Sequence, residues 1–263
     1  MLSAREILCY FAIRHEGDWG KIYLAVSRRE DFDEEVARAE LAKLKCNYIT
    51  IFDDNYPNCF RYVMRPPFVL FYYGDINLLL NYHKCLSVVG SRECTNYGAE
   101  STRRLISAVA DKYTIVSGLA AGIDSIAHEA AIRNKGKTIA ILGSGIDYIY
   151  PKENFELYQE IKKNHLLLSE YAFDMMPKPH FFPARNRIIA MIGRATLVTE
   201  AYPKSGTLIT VSCALTGGKD VLAIPYPIGK NSECNRIIKD GGFLIENPED
   251  ICEIMDAKNV QNS

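Results

Sequence analysis

CLSVVGSR, residues 85–92, is an apolar run that ends in a short polar turn, and a helical pattern follows over residues 98–111. A strand, a small-residue turn and a helix in this order are typical of the first unit of a parallel sheet. In such a unit the turn directs backbone N–H groups and a helix N-terminus to one point, which suits a phosphate. Gly90 and Ser91 form the turn, and Arg92 adds a cation with a planar fork of donors. Taken alone, these residues are also typical of a plain tight turn with a solvated arginine.

Outward from this stretch, short apolar runs alternate with segments of helical period. Besides residues 86–89, the predicted strands are 113–116, 138–142, 165–168, 195–199 and 221–224. The predicted helices lie near residues 98–111, 124–134, 153–163, 184–193, 206–217 and 232–239. Strands that are apolar throughout and separated by helices predict a parallel sheet covered on both faces. We therefore predict a Rossmann-like, doubly wound α/β domain with a mainly parallel sheet.

The first 45 residues predict a small helical region, because Ser3 can cap a helix and residues 32–45 are rich in Glu, Ala, Leu and Lys. Two strand-like segments, residues 48–54 and 66–75, then lead into the main domain. We predict a domain boundary near residue 76. The predicted units are an N-terminal helical domain with its lead-in segment (1–76), a Rossmann-like domain (77–256) and a frayed C-terminal tail (257–263).

The composition is that of an ordinary soluble globular protein, since 48% of the 263 residues are hydrophobic and 24% are charged. The formal net charge is −1, so a nucleic-acid partner has to be argued from a local basic patch. The eight cysteines show neither C-x-x-C pairs nor metal-ligand spacing, which indicates reduced thiols and no metal site. The first apolar run, residues 7–13, is too short for a leader peptide or a membrane span. We therefore expect a cytoplasmic protein without a membrane partner.

Small polar residues follow the predicted strands, at the edge of the sheet where such folds bind ligands. Gly118 lies in the turn 117–124, Gly143 and Gly145 follow the next strand, and a further turn contains Ser205, Gly206 and Thr207. Each turn by itself is also typical of an ordinary α/β connection. Together they predict a shallow polar floor that a phosphate or sugar backbone can approach closely.

Residues 175–199 form a local positive patch that contains no acidic residue. Its cations are Lys178, Arg185, Arg187 and Arg194, and its aromatic residues include Phe181 and Phe182. Cations beside aromatic rings are typical of single-stranded nucleic-acid sites, where charge binds the backbone and rings stack on bases. The alternative interpretation is that the phenylalanines lie in the core and the arginines pair with acids elsewhere.

Catalysis is poorly supported by the sequence. Asp124 and His128 can share a helix face, but no third ligand or nucleophile stands at a matching spacing. Glu170 and Glu200 follow strands and could form a carboxylate pair. Neither a G-x-G-x-x-G fingerprint nor a Walker A motif is present, which disfavours NAD or ATP chemistry. The residues therefore give little support to an enzyme, and we predict no cofactor.

A series of motifs over residues 85–245 resembles the DNA-processing protein A (DprA, also called Smf) family. The motifs are Gly90-Ser91-Arg92 with Tyr97-Gly98, Ser117-Gly118-Leu119-Ala120 with Gly122-Ile123-Asp124, Gly143 with Gly145, Tyr150-Pro151, Ser169-Glu170-Tyr171, Phe182-Pro183-Ala184-Arg185-Asn186-Arg187, Glu200-Ala201 and Ser205-Gly206-Thr207-Leu208-Ile209-Thr210. The lead-in segment 66–75 also resembles the residues that precede the Rossmann domain in this family.

The resemblance implies a cytosolic homodimer, with an N-terminal helical domain similar to a SAM domain, that binds single-stranded DNA without catalysis. It also implies loading of the RecA recombinase onto that strand, for homologous recombination in natural transformation of competent cells. Carried over residue by residue, it places Gly90–Arg92 and the segment 182–187 in the DNA site, with Lys178 as a weaker addition. The predicted DNA-binding set is Gly90, Ser91, Arg92, Gly118, Lys178, Phe182, Arg185, Asn186, Arg187, Ser205, Gly206 and Thr207.

The chain also departs from the family pattern. Pro225 is followed by Tyr226 where the family usually has Pro-Gly, and residues 231–235 differ from the usual Ser-x-Gly-x-Asn. We therefore expect the loop 225–235 to have a different shape. We also expect no C-terminal winged-helix domain after Asp256, and so no duplex contact from one.

A nucleotide enzyme is the second hypothesis. The Rossmann superfamily includes phosphoribohydrolases that release a base from a nucleoside monophosphate, and Ser205-Gly206-Thr207 after Glu200 resembles their phosphate loop. Those enzymes usually carry Pro-Gly-Gly-x-Gly-Thr, whereas residues 202–207 here read YPKSGT and lack two of the glycines.

Overall fold

The computed structural model of the protein describes residues 1–61, 63–230 and 232–257. In this part of the chain, nine strands form one sheet in the order β1-β2-β6-β5-β4-β3-β7-β8-β9. The strands are β1 (Asn47–Thr50), β2 (Val69–Gly74), β3 (Cys85–Gly90), β4 (Thr114–Ser117), β5 (Thr138–Ile141), β6 (Leu166–Ser169), β7 (Ala195–Glu200), β8 (Asp220–Ala223) and β9 (Phe243–Leu244). Strands β3 to β9 are parallel, β2 pairs antiparallel with β6, and β1 pairs antiparallel with β2. The predicted mainly parallel, Rossmann-like α/β fold with N-terminal helices is confirmed.

Helices connect the strands and cover both faces of the sheet. They are α1 (Ala4–Arg14), α2 (Trp19–Ser27), α3 (Glu34–Leu41), α4 (Asn58–Arg61), α5 (Asn77–Leu80), α6 (Asn96–Val109), α7 (Ile123–Arg133), α8 (Phe155–Asn164), α9 (Phe181–Ile192), α10 (Gly206–Thr216), α11 (Cys234–Lys239) and α12 (Pro248–Ala257). Helices α4, α5, α9, α10 and α11 contribute to the core on one face. Helices α6, α7 and α12 cover the parallel strands on the other face, and α1 to α3 with α8 continue that layer. Strands β3 to β7 are therefore buried along nearly their whole length, as expected for a parallel sheet covered on both faces.

The N-terminal helices begin where capping residues predict. Ser3 and Glu6 form a capping box at α1, in which each side chain accepts a hydrogen bond from the backbone N–H of the other residue. The side chains of Asp18 and Asp33 cap α2 and α3 by accepting hydrogen bonds from backbone N–H groups of the first turn. Within the described residues, no helix is both long and apolar enough to cross a bilayer.

Strands β1 and β2 extend the same sheet that the Rossmann-like domain forms, because β2 pairs with β6 over Phe71–Gly74. The boundary predicted near residue 76 thus falls between two strands of one sheet, and the division into domains stays a prediction. The predicted tail lies outside the described residues from position 258 onward.

Helix α9 begins three residues earlier than the pattern predicts. Phe181 is its first residue and Pro183 its third. A proline is tolerated there because the first-turn N–H groups of a helix have no partner within the helix. Phe181 and Phe182 are therefore part of the helix, and their side chains turn to different sides of it.

Candidate functional site

A cleft of about 560 Å³ opens at the carboxyl ends of β3 and β7. The strand order reverses here, since the chain runs from β3 outward to β6 and then returns to the other side of β3 with β7. Such a switch point leaves a crevice between the two connecting loops. Of the predicted site residues, the cleft brings together Gly90, Ser91, Arg92, Phe182, Arg185, Asn186, Ser205, Gly206 and Thr207.

Arg92 is the exposed cation of the cleft. Its guanidinium carbon lies 4.7 Å from the centre of the Phe182 ring, which is the geometry of a cation–π contact. Among the described residues, no carboxylate forms an ion pair with Arg92. The Ser91 carbonyl accepts a hydrogen bond from Ile123 N at 3.1 Å, so the loop that carries Arg92 is fixed to the start of α7. The side chain is therefore held on an aromatic ring with its donors available to an anion.

Arg185 lies in the floor of the cleft and is buried. Its Nη1 donates to the Ile141 carbonyl oxygen at 2.7 Å, while its Nε has no partner among the described residues. Gly118 provides the space for this side chain, because a Cβ at that position would overlap the guanidinium. Burial lowers the pKa of Arg185 to about 10, and the carboxylate of Asp124 opposes that effect. The side chain therefore stays charged at neutral pH but cannot reach far into the solvent.

Asp124 lies in the wall of the cleft, and its role was not predicted. Burial raises the pKa of this carboxyl, while the charge of Arg185 and a hydrogen bond from Ser117 lower it. The carboxylate also accepts a hydrogen bond from Ala120 N at 3.3 Å. Asp124 therefore compensates the charge of Arg185 within the floor of the cleft.

His128 does not join Asp124 in a metal site. Its Nδ1 lies 2.6 Å from Thr138 Oγ1, whose own proton goes to the Ile115 carbonyl oxygen, so Nδ1 carries the hydrogen. Burial lowers the pKa of His128 to about 3. Throughout the described ranges, no group of three or more His, Cys, Asp or Glu residues could hold a metal ion. His128 is thus a core residue.

The opposite wall of the cleft is the start of α10. Ser205 precedes this helix, and its buried Oγ has no hydrogen-bond partner among the described residues. A Cβ at Gly206 would meet no atom within 4 Å, so the backbone here is open to close approach. Asn186 Nδ2 donates to the Gly206 carbonyl oxygen at 3.1 Å and ties α9 to this turn. Because the first N–H groups of a helix lack partners within the helix, this end suits an anionic group.

Two predicted cations lie outside the cleft. Arg187 forms a two-pronged ion pair with Glu170 at 2.6 and 3.0 Å, and both side chains are nearly buried. Lys178 pairs with Glu16 at 2.6 Å, in the turn between α1 and α2. Arg185 and Arg187 are separated because residues two apart on a helix point to nearly opposite sides. The alternative interpretation of the positive patch, in which the arginines pair with acids elsewhere, is therefore correct for Arg187.

The two phenylalanines also separate. Phe181 is buried and stacks on Tyr171 at 3.8 Å between ring centres, so it belongs to the core. Phe182 lines the cleft beneath Arg92. Of these two rings, only that of Phe182 lines the cleft.

Glu200 has a structural role in the site that the sequence did not predict. Its fully buried carboxylate accepts hydrogen bonds from Thr95 N at 3.0 Å, from Thr95 Oγ1 at 2.8 Å and from the hydroxyls of Tyr202 at 2.6 Å and Tyr226 at 3.0 Å. Glu200 therefore joins the loop after β3 to the loops after β7 and β8. It shares no contact with Glu170, so the carboxylate pair considered from the sequence is not formed.

The divergent loop 225–235 is fixed to this network. Tyr226 and Asn235 exchange two hydrogen bonds of 2.8 Å, and Tyr97 donates to the Pro225 carbonyl oxygen at 2.8 Å. Asn231 lies outside the described residues. The two bonds to Asn235 use backbone atoms of Tyr226, and its side chain anchors the loop through the hydroxyl, which donates to Glu200 at 3.0 Å.

Comparisons with known proteins agree on one family. Residues 47–256 match the family described as DNA recombination-mediator protein A. Among similar sequences, the DNA processing protein DprA of Streptococcus pneumoniae is 44% identical over 204 residues, which are 77% of this chain and 72% of that protein. DprA of Bacillus subtilis is 38% identical over 218 residues, 82% of this chain and 73% of that protein.

Two solved structures are similar over most of the chain. The X-ray structure of DprA from Streptococcus pneumoniae has a TM-score of 0.80 at 36% identity and covers 95% of this chain and 93% of that one. The structure of DNA processing protein A from Helicobacter pylori, described as revealing its single-stranded DNA binding mode, has a TM-score of 0.72 at 29% identity. It covers 82% of this chain and 98% of that one.

Proposed function

Because the chain belongs to the DNA recombination-mediator protein A family, we propose that it binds single-stranded DNA in the cleft between β3 and β7 and does so without catalysis. The observation that carries this proposal is the position of Arg92, exposed above Phe182 and opposite the open N-terminus of α10. A guanidinium and a helix N-terminus that face one cleft are complementary to a phosphate. Backbone phosphates are the same in every sequence, so the proposed binding is independent of sequence.

A titration of binding by fluorescence polarisation tests this proposal. Labelled poly-dT and a duplex of equal length are compared at two salt concentrations. We expect clear preference for the unpaired strand, with log affinity falling against log salt by about 0.7 for each phosphate neutralised. Equal affinity for the strand and the duplex would contradict the proposal.

The arrangement of carboxylates favours binding over hydrolysis. Glu170 is neutralised by Arg187, and Glu200 is saturated by its hydrogen-bond donors. Asp124 lines the cleft, but it is buried beside Arg185. The phosphoribohydrolase alternative is tested by incubating the purified protein with AMP or CMP. Release of the free base at a catalytic rate would replace the binding proposal with that alternative.

We further propose that the protein loads RecA onto the bound strand in the cytoplasm during natural transformation. This finer proposal rests on the family and not on a surface of this chain. The measurement is RecA filament formation on strands coated with single-strand-binding protein, with and without the chain. Unchanged filament formation would limit the function to DNA binding.

A homodimer is also proposed, and the edge of the sheet supports it. Strand β9 is the last strand of the described sheet, and its Phe243 and Leu244 are each more than 40% exposed. An apolar edge strand favours pairing with a second copy. Analytical ultracentrifugation of the native chain and of the double variant Phe243→Glu with Leu244→Glu tests this. A native monomer at micromolar concentration would contradict it.

A further inference from the structure

Tyr150 is an exposed aromatic residue beside the cleft, in the motif Tyr150-Pro151, and the proposed function gives it no role. It lies in the loop between β5 and α8, and 41% of its surface is exposed. Its ring centre lies 5.9 Å from that of Phe182, with the ring planes at 49°. Within the described residues, its hydroxyl has no hydrogen-bond partner. Tyr150 thus contacts Phe182 of the site, and part of its ring stays exposed to solvent.

Phe182 itself is poorly placed to stack on a base. The Arg92 guanidinium lies over its ring, and a Cβ at Gly143 would come within 2.8 Å of its Cδ1. The ring is therefore enclosed by a cation and by backbone. The next ring outward, that of Tyr150, retains exposed surface for a further stacking partner.

We propose that Tyr150 stacks on an unpaired nucleobase at the rim of the cleft, next to the phosphate that Arg92 binds. This inference rests on the proposed function and adds a base contact to it. Stacking on an aromatic ring does not depend on the identity of the base, because every base has a π face. It does require an unpaired base, since a base inside a duplex is covered on both faces. Tyr150 thus supplies a physical reason for a preference for single strands over duplexes.

Three variants separate the ring, the hydroxyl and general surface effects. Tyr150→Ala removes the ring, Tyr150→Phe removes only the hydroxyl, and Phe52→Ala removes an exposed aromatic residue that does not line the cleft. We expect about tenfold weaker binding of oligo-dT for Tyr150→Ala, and native affinity for the other two. The salt dependence of Tyr150→Ala should equal that of the native protein, because the same number of phosphates is neutralised in both.

Oligonucleotides with one abasic position complete the test. An abasic position walked along an oligonucleotide no longer than the binding site should weaken native binding at one position. The same substitution should have no further effect on Tyr150→Ala, since the stacking partner is already absent. Melting temperatures of all three variants should match the native value, because the side chains of Tyr150 and Phe52 are exposed.

The outcomes distinguish this inference from the proposed function. Native affinity of Tyr150→Ala for oligo-dT overturns the inference alone. An equal reduction of affinity in Tyr150→Phe and Tyr150→Ala also overturns it, since the hydroxyl and not the ring would then bind the strand. If the native protein shows no preference for the single strand, the proposed function fails first and the inference fails with it.

Discussion

Arg92 and Arg187 carry the same guanidinium, and their surroundings decide what each one does. Arg92 rests on Phe182 with no acidic partner among the described residues. Arg187 is nearly buried and holds Glu170 with two hydrogen bonds. A paired arginine that leaves its partner would strand a charge in a dry site, which is costly. Of these two arginines, Arg92 is therefore the one that is free to bind a phosphate.

The first prediction concerns this pair of arginines. Arg92→Ala should weaken single-strand binding. The slope of log affinity against log salt should become shallower by about 0.7 for each phosphate that the variant no longer neutralises. Its melting temperature should stay close to the native value, since the side chain is exposed. Arg187→Ala should instead lower the free energy of unfolding by about 1–3 kcal/mol, because Glu170 is left without its partner. A stable Arg187→Ala whose binding no longer depends on salt would contradict this assignment.

The second prediction concerns Glu200. Glu200→Gln places an amide NH2 group among donors, including the backbone N–H of Thr95, and one of these donors is left without an acceptor. We expect the free energy of unfolding to fall by about 1–3 kcal/mol, measured by urea titration. Glu93→Gln is the matched control, since Glu93 is exposed and close in the same loop. An equal stability of both variants would show that the hydrogen bonds of Glu200 contribute nothing net.

At the scale of elements, two glycines in similar turns have different reasons to be glycine. Gly118 follows β4 and lies against the Arg185 guanidinium, so its missing side chain makes room for a residue of α9. Gly206 opens α10 with empty space in front of it. The first glycine is required by packing, and the second leaves space for a ligand.

The third prediction compares these two positions. Gly118→Ala should destabilise the fold by about 1–3 kcal/mol, because Arg185 has to move in a packed floor. Gly206→Ala should keep or slightly raise the melting temperature, since alanine is the better helix former. We expect it nevertheless to weaken single-strand binding, because the new methyl group separates the strand from the α10 backbone. Native affinity of Gly206→Ala would show that the bound strand does not closely approach the N-terminus of α10.

At the scale of the whole molecule, buried histidines couple stability to pH. Burial lowers the pKa of His128 to about 3 and also lowers the pKa of His165. The folded protein thus keeps both rings neutral at a pH where the unfolded chain binds protons. Stability is then fully present above the unfolded histidine pKa of about 6.5 and is lost as the pH falls below it.

The fourth prediction follows from this linkage. Below pH 6.5, His128 alone should lower the free energy of unfolding by about 1.4 kcal/mol for each pH unit. Urea titrations at pH 7, 6 and 5 measure the slope. His128→Gln should reduce it, whereas His83→Gln, which changes an exposed ring, should leave it unchanged. An unchanged slope in His128→Gln would mean that another group controls the acid sensitivity.

The sequence alone determined the fold and the edge at which a ligand would bind. The alternation of apolar runs with helical periods is a local property, and parallel strands bring the turns after them to one edge. For this reason Gly90, Ser91, Arg92, Ser205 and Gly206 could be grouped from the sequence, and the structure places them in one cleft.

Only the tertiary structure decided which of the charged and aromatic residues are available. Arg187 meets Glu170, and Lys178 meets Glu16 from the distant N-terminal region. Arg187 and Lys178 lie 17 and 162 positions from their partners, so the local spacing of residues does not reveal these ion pairs. Burial, ion pairing and stacking are properties of the packed molecule, because they depend on which elements come together around each side chain.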